Sequence, residues 1–113
     1  MKMLKITADG WLHTTDVNPF RMADVIGCTR LDSRRMHFGI EMWHDADYTL
    51  AGRQANMHAV CLMLNCGDET PDTVPIIGGD VLLVGVDADG SRIELTPDQM
   101  HALGEALLSS LAA

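Results

Sequence analysis

Aromatic side chains are scarce in this sequence: two tryptophans, two phenylalanines and one tyrosine among 113 residues. Eight methionines stand against them, which implies a soft, adaptable core in which Met57 and Met63 read as gap-fillers. The three cysteines, Cys28, Cys61 and Cys66, are odd in number and fit poorly with a disulfide framework. They read as small buried apolar residues of a reduced, cytoplasmic protein. No apolar run approaches the ~20 residues that a membrane helix needs. The opening stretch "MKMLKITADGWLHTTD" turns polar too early for a secretory signal. Basic residues are few as well, eight against sixteen carboxylates, for a formal charge of −8.

That charge is unevenly spread. Residues 1–40 carry six basic and four acidic side chains, a net of +2, whereas residues 41–113 carry only Arg53 and Arg92 against twelve carboxylates, a net of −10. A phosphate backbone repels such a surface, so direct nucleic-acid binding is disfavoured. Only "RLDSRR" (30–35) offers a local basic spot, and a solvated strand edge accounts for it. With 47% hydrophobic residues, the chain has the makings of a packed globular protein, and its length fits a single domain over 1–113.

Local patterns predict the elements. "MLKITADGWLHTTDV" reads as a β-hairpin around Asp9-Gly10. "NPFRMADVIG" reads as a short helix, capped by Asn18 and stopped at Gly27. Strands are expected around Cys28–Arg34 and His37–Trp43, with Phe38, Ile40 and Met42 alternating along the second. A helix is expected from about Asn56 to Asn65. The continuous apolar run "DVLLVGV" predicts a buried strand, joined by a "DADG" turn to a strand "RIEL". In "TPDQMHALGEALLSSL", Thr96 caps, Pro97 takes the first helical position and Gln99 completes a capping box. Met100, Leu103, Leu107 and Leu111 share one face of that helix. The fold class that follows is α+β: a mainly antiparallel sheet of hairpins with three short helices packed on it.

The chemistry-bearing residues form no convincing catalytic or metal set. His58, Cys61 and Cys66 are spaced by three and five, and the second spacing turns Cys66 away from the face the first two share. No C-x-x-C knuckle is present for zinc. "DADGSRIELTPDQ" fails as a calcium loop: anchoring Gly90 at position six puts Gly85 at one and Thr96 at twelve, where ligands are required. Ser33, Ser91, Ser109 and Ser110 lie in no G-x-S-x-G turn. "IIGGDVLLVG" lacks both the P-loop lysine and the dinucleotide glycine pattern. The sequence therefore calls for no metal and no cofactor, and supports no enzymatic activity.

Laid in order, "DADYTLAG", the helix start Asn56-Met57-His58-Ala59-Val60-Cys61-Leu62 and "IIGGDVLLVG" resemble the segments of domain-of-unknown-function family 3846, a family of small phage- and plasmid-borne proteins. The resemblance covers nearly the whole chain. One departure is "RQA" (53–55), where the family carries Leu-Pro-Pro. The resemblance makes Gly52, Asn56, Gly79, Asp80 and Gly85 architectural, with Asn56 a helix cap and the glycines permitting tight turns.

The expectation is a small, acidic, non-catalytic binding protein of a phage or mobile element. Its carboxylates at Asp45, Asp47, Asp68, Glu69, Asp72, Asp80, Asp87 and Asp89 would meet a basic surface of a host protein that processes nucleic acid or serves defence. The alternative is a small-molecule-binding or catalytic domain with a pocket near Trp43, His44 and Tyr48. A homodimer, with the +2 arm of one copy against the −10 body of another, is a third expectation.

Overall fold

The computed structural model describes residues 1–47 and 52–112, with side chains as far as Ser109. In chain order the elements are β1 (Lys2–Ile6), β2 (Leu12–Asp16), a 3₁₀ turn (Pro19–Arg21) leading into α1 (Met22–Ile26), β3 (Leu31–Met36), β4 (Ile40–Asp45), α2 (Met57–Cys66), β5 (Val81–Val86), β6 (Arg92–Ile93) and α3 (Pro97–Ala112). Among the described residues the strands form one antiparallel sheet in the order β2-β1-β5-β4-β3, and β6 pairs with the second half of β5. The class is α+β, with three helices packed on an antiparallel sheet.

β5 explains the layering. Its six residues are all buried because each of its two faces meets a different helix layer. Val81 and Leu83 join Leu4, Ile6, Met36, Ile40 and Met42 beneath α2 and α3. Leu82 and Val84 join Met3, Val17, Met22 and Ile26 beneath α1. A continuous apolar run is what a strand covered on both faces requires. Truncating Leu83, fully buried, to alanine costs about 2–5 kcal/mol on the usual scale for core cavities.

The structure moves several boundaries. α1 ends at Gly27 in a left-handed C-cap, and the chain needs Cys28–Arg30 to turn back, so β3 starts at Leu31 rather than at Cys28. The expected strand His37–Trp43 begins only at Ile40, because His37–Gly39 form a turn. Phe38 accordingly does not alternate inward with Ile40 and Met42; it stands 67% exposed. "RIEL" pairs only through Arg92 and Ile93, since β1 occupies the first half of the same β5 edge and the chain then leaves for the cap of α3. Met57 is exposed rather than a core gap-filler, whereas Met63 is buried.

Candidate functional site

The predicted acidic surface divides once its partners are seen. Asp45 is a correction: it is 2% exposed, so it offers nothing to a partner. Its carboxylate accepts the Asp47 N–H at 2.8 Å and lies 3.3 Å from Arg53 Nη2, and that guanidinium also donates to the Gly27 carbonyl. Burial of a carboxylate requires such compensation. The cation comes from the "RQA" segment (53–55) that precedes Asn56. Asp47 pairs with Arg30 at 3.1 Å, Glu69 with Arg34 at 2.9 Å, and Asp80 with Lys5 at 3.5 Å. Asp80 also accepts the Ala8 N–H. These carboxylates are neutralised locally.

Asp68, Asp72, Asp87 and Asp89 are different. Asp68 has its side chain 92% exposed, held 2.7 Å from His37 Nε2. Asp87 folds its own turn by accepting the N–H groups of Asp89 and Ser91. Asp72, Asp87 and Asp89 are exposed. Of these, Asp68 lies against His37, just before β4 begins, and Asp87 directly follows Val86, where β5 finishes.

At that end lies the turn His37-Phe38-Gly39. Phe38 has φ 64° and Gly39 φ 67°, and Phe38 is the one non-glycine at positive φ among the described residues. Positive φ at consecutive residues matches the right-handed twist of a tight hairpin, a geometry that usually selects Asn-Gly or Gly-Gly. A bulky aromatic there is strained, and its surroundings must hold it. Gln99 does so: its Nε2 donates to the carbonyls of Phe38 (2.9 Å) and Gly39 (3.0 Å). The other end of the same amide, Oε1, accepts the Thr96 N–H at 2.9 Å, while Thr96 Oγ1 accepts the Gln99 N–H at 3.1 Å. The capping box of α3 and the strained turn therefore share one side chain.

The glycines around it follow. A Cβ on Gly85 would sit 3.0 Å from both Gln99 Oε1 and Ile93, so Gly85 makes room for this amide rather than for a backbone turn. A Cβ on Gly39 would meet the Val86 carbonyl at 3.1 Å, which sets Asp87 directly beside the turn. Gly52 and Gly79 have φ +61° and +83° at the opposite end. There Asn56, fully buried, caps α2 through the Ala59 N–H and donates to the carbonyls of Ile6 and Gly79, both at 3.0 Å.

Phe38 is thus an exposed aromatic held at positive φ by the Gln99 amide, with Asp68 against the neighbouring His37, Asp87 next to Val86, and Asp98 preceding Gln99 in the first turn of α3. It also borders a cleft of about 270 Å³ shared with Asn65, Ala102 and Glu105. Sequence reasoning missed Phe38. The available signal was Gly39 directly after it, between two strand-like runs.

Two of the three residues of the other expected pocket, Trp43 and His44, are among the described residues. Trp43 and His44 are neighbours on β4 and point to opposite faces. Trp43 packs on the α1 side, with its Nε1–H donated to Glu41 at 2.6 Å and Arg92 stacked 4.9 Å from its ring. His44 is fully buried, and burial lowers its pKa below the ordinary 6.5. Tyr48 lies outside the described residues. Burial also raises the thiol pKa of Cys28 and of Cys66, the opposite of what a nucleophile needs. No group of three histidine, cysteine or carboxylate side chains suited to a metal occurs among the described residues. No helix among them is long and apolar enough to cross a membrane.

A family model described as a domain of unknown function (DUF3846) matches residues 1–108. The chain belongs to this family. In this member, Asn56 ties the helix start to β1 and to the Gly79 loop, and the "IIGGDVLLVG" segment supplies the central strand β5 together with the crowded Gly85. No curated protein and no solved structure matches the chain.

Proposed function

We propose that this DUF3846 member is a non-catalytic binding protein of a phage or other mobile element, acting in the cytoplasm. It grips a basic surface of a host protein, one that processes nucleic acid or serves defence, with Phe38 as the apolar anchor and Asp68, Asp87, Asp89 and Asp98 as the rim. The single observation that carries this reading is Phe38 itself, held at positive φ with two thirds of its side chain in solvent. A largely solvent-exposed aromatic in a strained turn buries little, and strain of this kind collects at functional sites. Aromatic anchors surrounded by polar rims dominate the energetics of protein interfaces. The carboxylates add attraction to a cationic partner and repulsion from nucleic acid. The three free cysteines support a reducing compartment.

The test is capture from a host lysate with immobilised wild-type protein and the Phe38→Ala and Asp68→Lys/Asp89→Lys variants. A basic protein retained by wild type, lost by Phe38→Ala and eluted by moderate salt supports the reading. Equal retention by all three proteins overturns it.

A further inference from the structure

Where α2 and α3 pack together they leave a cleft of about 270 Å³, bordered by Phe38. Asn65 and Cys66, the last residues of α2, line it from one helix, and Ala102, Glu105 and Ala106 line it from the other. Its width is built into the fold, because the Asn65 amide donates to the Ala106 carbonyl at 3.2 Å and ties the two helices together. Alanine at 102 and 106 leaves space that longer side chains would fill. The volume falls just under the roughly 300–1,000 Å³ of sites that enclose a whole small molecule, and suits the end of one long side chain.

Three features of the lining favour a cation. Glu105 is a carboxylate, 69% exposed. α2 ends here, so the carbonyls of its last turn add partial negative charge. Phe38 offers an aromatic ring, whose face attracts cations. Among the described residues, no lysine or arginine lines the cleft, and the sequence has neither residue in 54–91 or 93–113. His101 pairs with Glu105 at 3.0 Å but is 76% exposed and does not line the cleft, and a carboxylate has room for a second donor.

Resting on the reading of Phe38 as a partner anchor, we infer that this cleft receives one arginine side chain of the partner, its guanidinium stacked on the Phe38 ring and paired with Glu105. Arginine suits the lining better than lysine. A planar guanidinium stacks on an aromatic face, donates two parallel bonds to one carboxylate, and is more weakly hydrated than an ammonium. Diffuse attraction between an acidic surface and a basic one has no such preference: it would not tell arginine from lysine, nor Glu105 from any other exposed carboxylate.

The probe is the acetylated amide of arginine, titrated into the isotope-labelled full chain and followed by NMR amide shifts. The acetylated amides of lysine and of citrulline, the uncharged isostere, are titrated alongside. Shifts should gather at Phe38, Asn65, Cys66, Ala102, Glu105 and Ala106, with a Kd on the order of 1–10 mM, weaker for lysine and absent for citrulline. Glu105→Gln, a change at an exposed position, should weaken binding by about threefold or more and leave amide shifts elsewhere in the fold unchanged. No binding, citrulline or lysine bound as tightly as arginine, shifts at Asp87 and Asp89 instead of the cleft, or an unweakened Glu105→Gln would each overturn the inference. The two readings fail separately. Arginine bound in the cleft with no basic protein captured from the lysate defeats the partner reading alone. A captured protein held as tightly by Glu105→Gln as by wild type defeats the arginine site alone.

Discussion

Gln99 reaches back sixty-one residues to donate its side-chain N–H to the carbonyl of Phe38, while its own oxygen caps α3. Replacing it with glutamate keeps an acceptor for Thr96 but loses both donors and sets a carboxylate against two carbonyls. Gln99→Glu should lose about 1–3 kcal/mol of stability. Thr96→Ala touches only the cap and should lose about 1 kcal/mol. Urea denaturation of the two variants checks the order; a smaller loss for Gln99→Glu would show that the turn is held by something else.

The turn is expected to cost the fold something. A left-handed backbone is worth roughly 1–2 kcal/mol against an L side chain, and Phe38 buries little to offset it. Phe38→Gly should therefore raise stability by about 1 kcal/mol while abolishing partner capture. Thermal melts measure the first effect. A lower melting temperature would mean that the ring packs in a way its 67% exposure does not suggest.

Asn56 makes the strongest structural demand. Its side chain has three hydrogen bonds inside the core, and its backbone N–H donates to Ile77 O at 2.7 Å. Asn56→Asp keeps the cap on α2 but turns both carbonyl partners into repulsive neighbours of a buried charge. Leaving buried groups unpaired costs about 1–3 kcal/mol each, so chemical denaturation should show a loss of about 3 kcal/mol or more. A near-neutral Asn56→Asp would remove the residue from the architecture.

His44 gives stability a pH dependence of definite sign. Burial, the largest cause, lowers its pKa; the backbone carbonyl of Asp45 and the carboxylates of Asp32 and Asp45 oppose this, and Arg34 reinforces it. The unfolded chain thus takes up this proton at higher pH than the fold does. Stability should fall as pH drops below the ordinary 6.5 towards the folded value, with no contribution from this group above it. The slope for one proton is at most about 1.4 kcal/mol per pH unit. In His44→Leu this component should vanish; an unchanged slope would assign it to other groups.

What could be read from the sequence was what is local. Thr96 to Gln99 carry a helix cap in four contiguous residues, and the buried run of β5 announces a strand covered on both sides. The turn at Phe38 was hidden, because Phe38, Ile40 and Met42 alternate as a strand would. An aromatic at positive φ is too rare for any propensity to flag, and the amide that holds it comes from the far end of the chain. Asp45 was hidden for a related reason. It counts as one more carboxylate until Arg53, from beyond residues 48–51, is seen beside it.

The most direct measurement compares wild type with Phe38→Gly as bait in the same host lysate, because the variant should be at least as stable as the parent. The account predicts that wild type retains a basic protein in low salt, that salt releases it, and that Phe38→Gly retains none. Undiminished capture of the same protein by Phe38→Gly would contradict the account, whatever the carboxylates around it do.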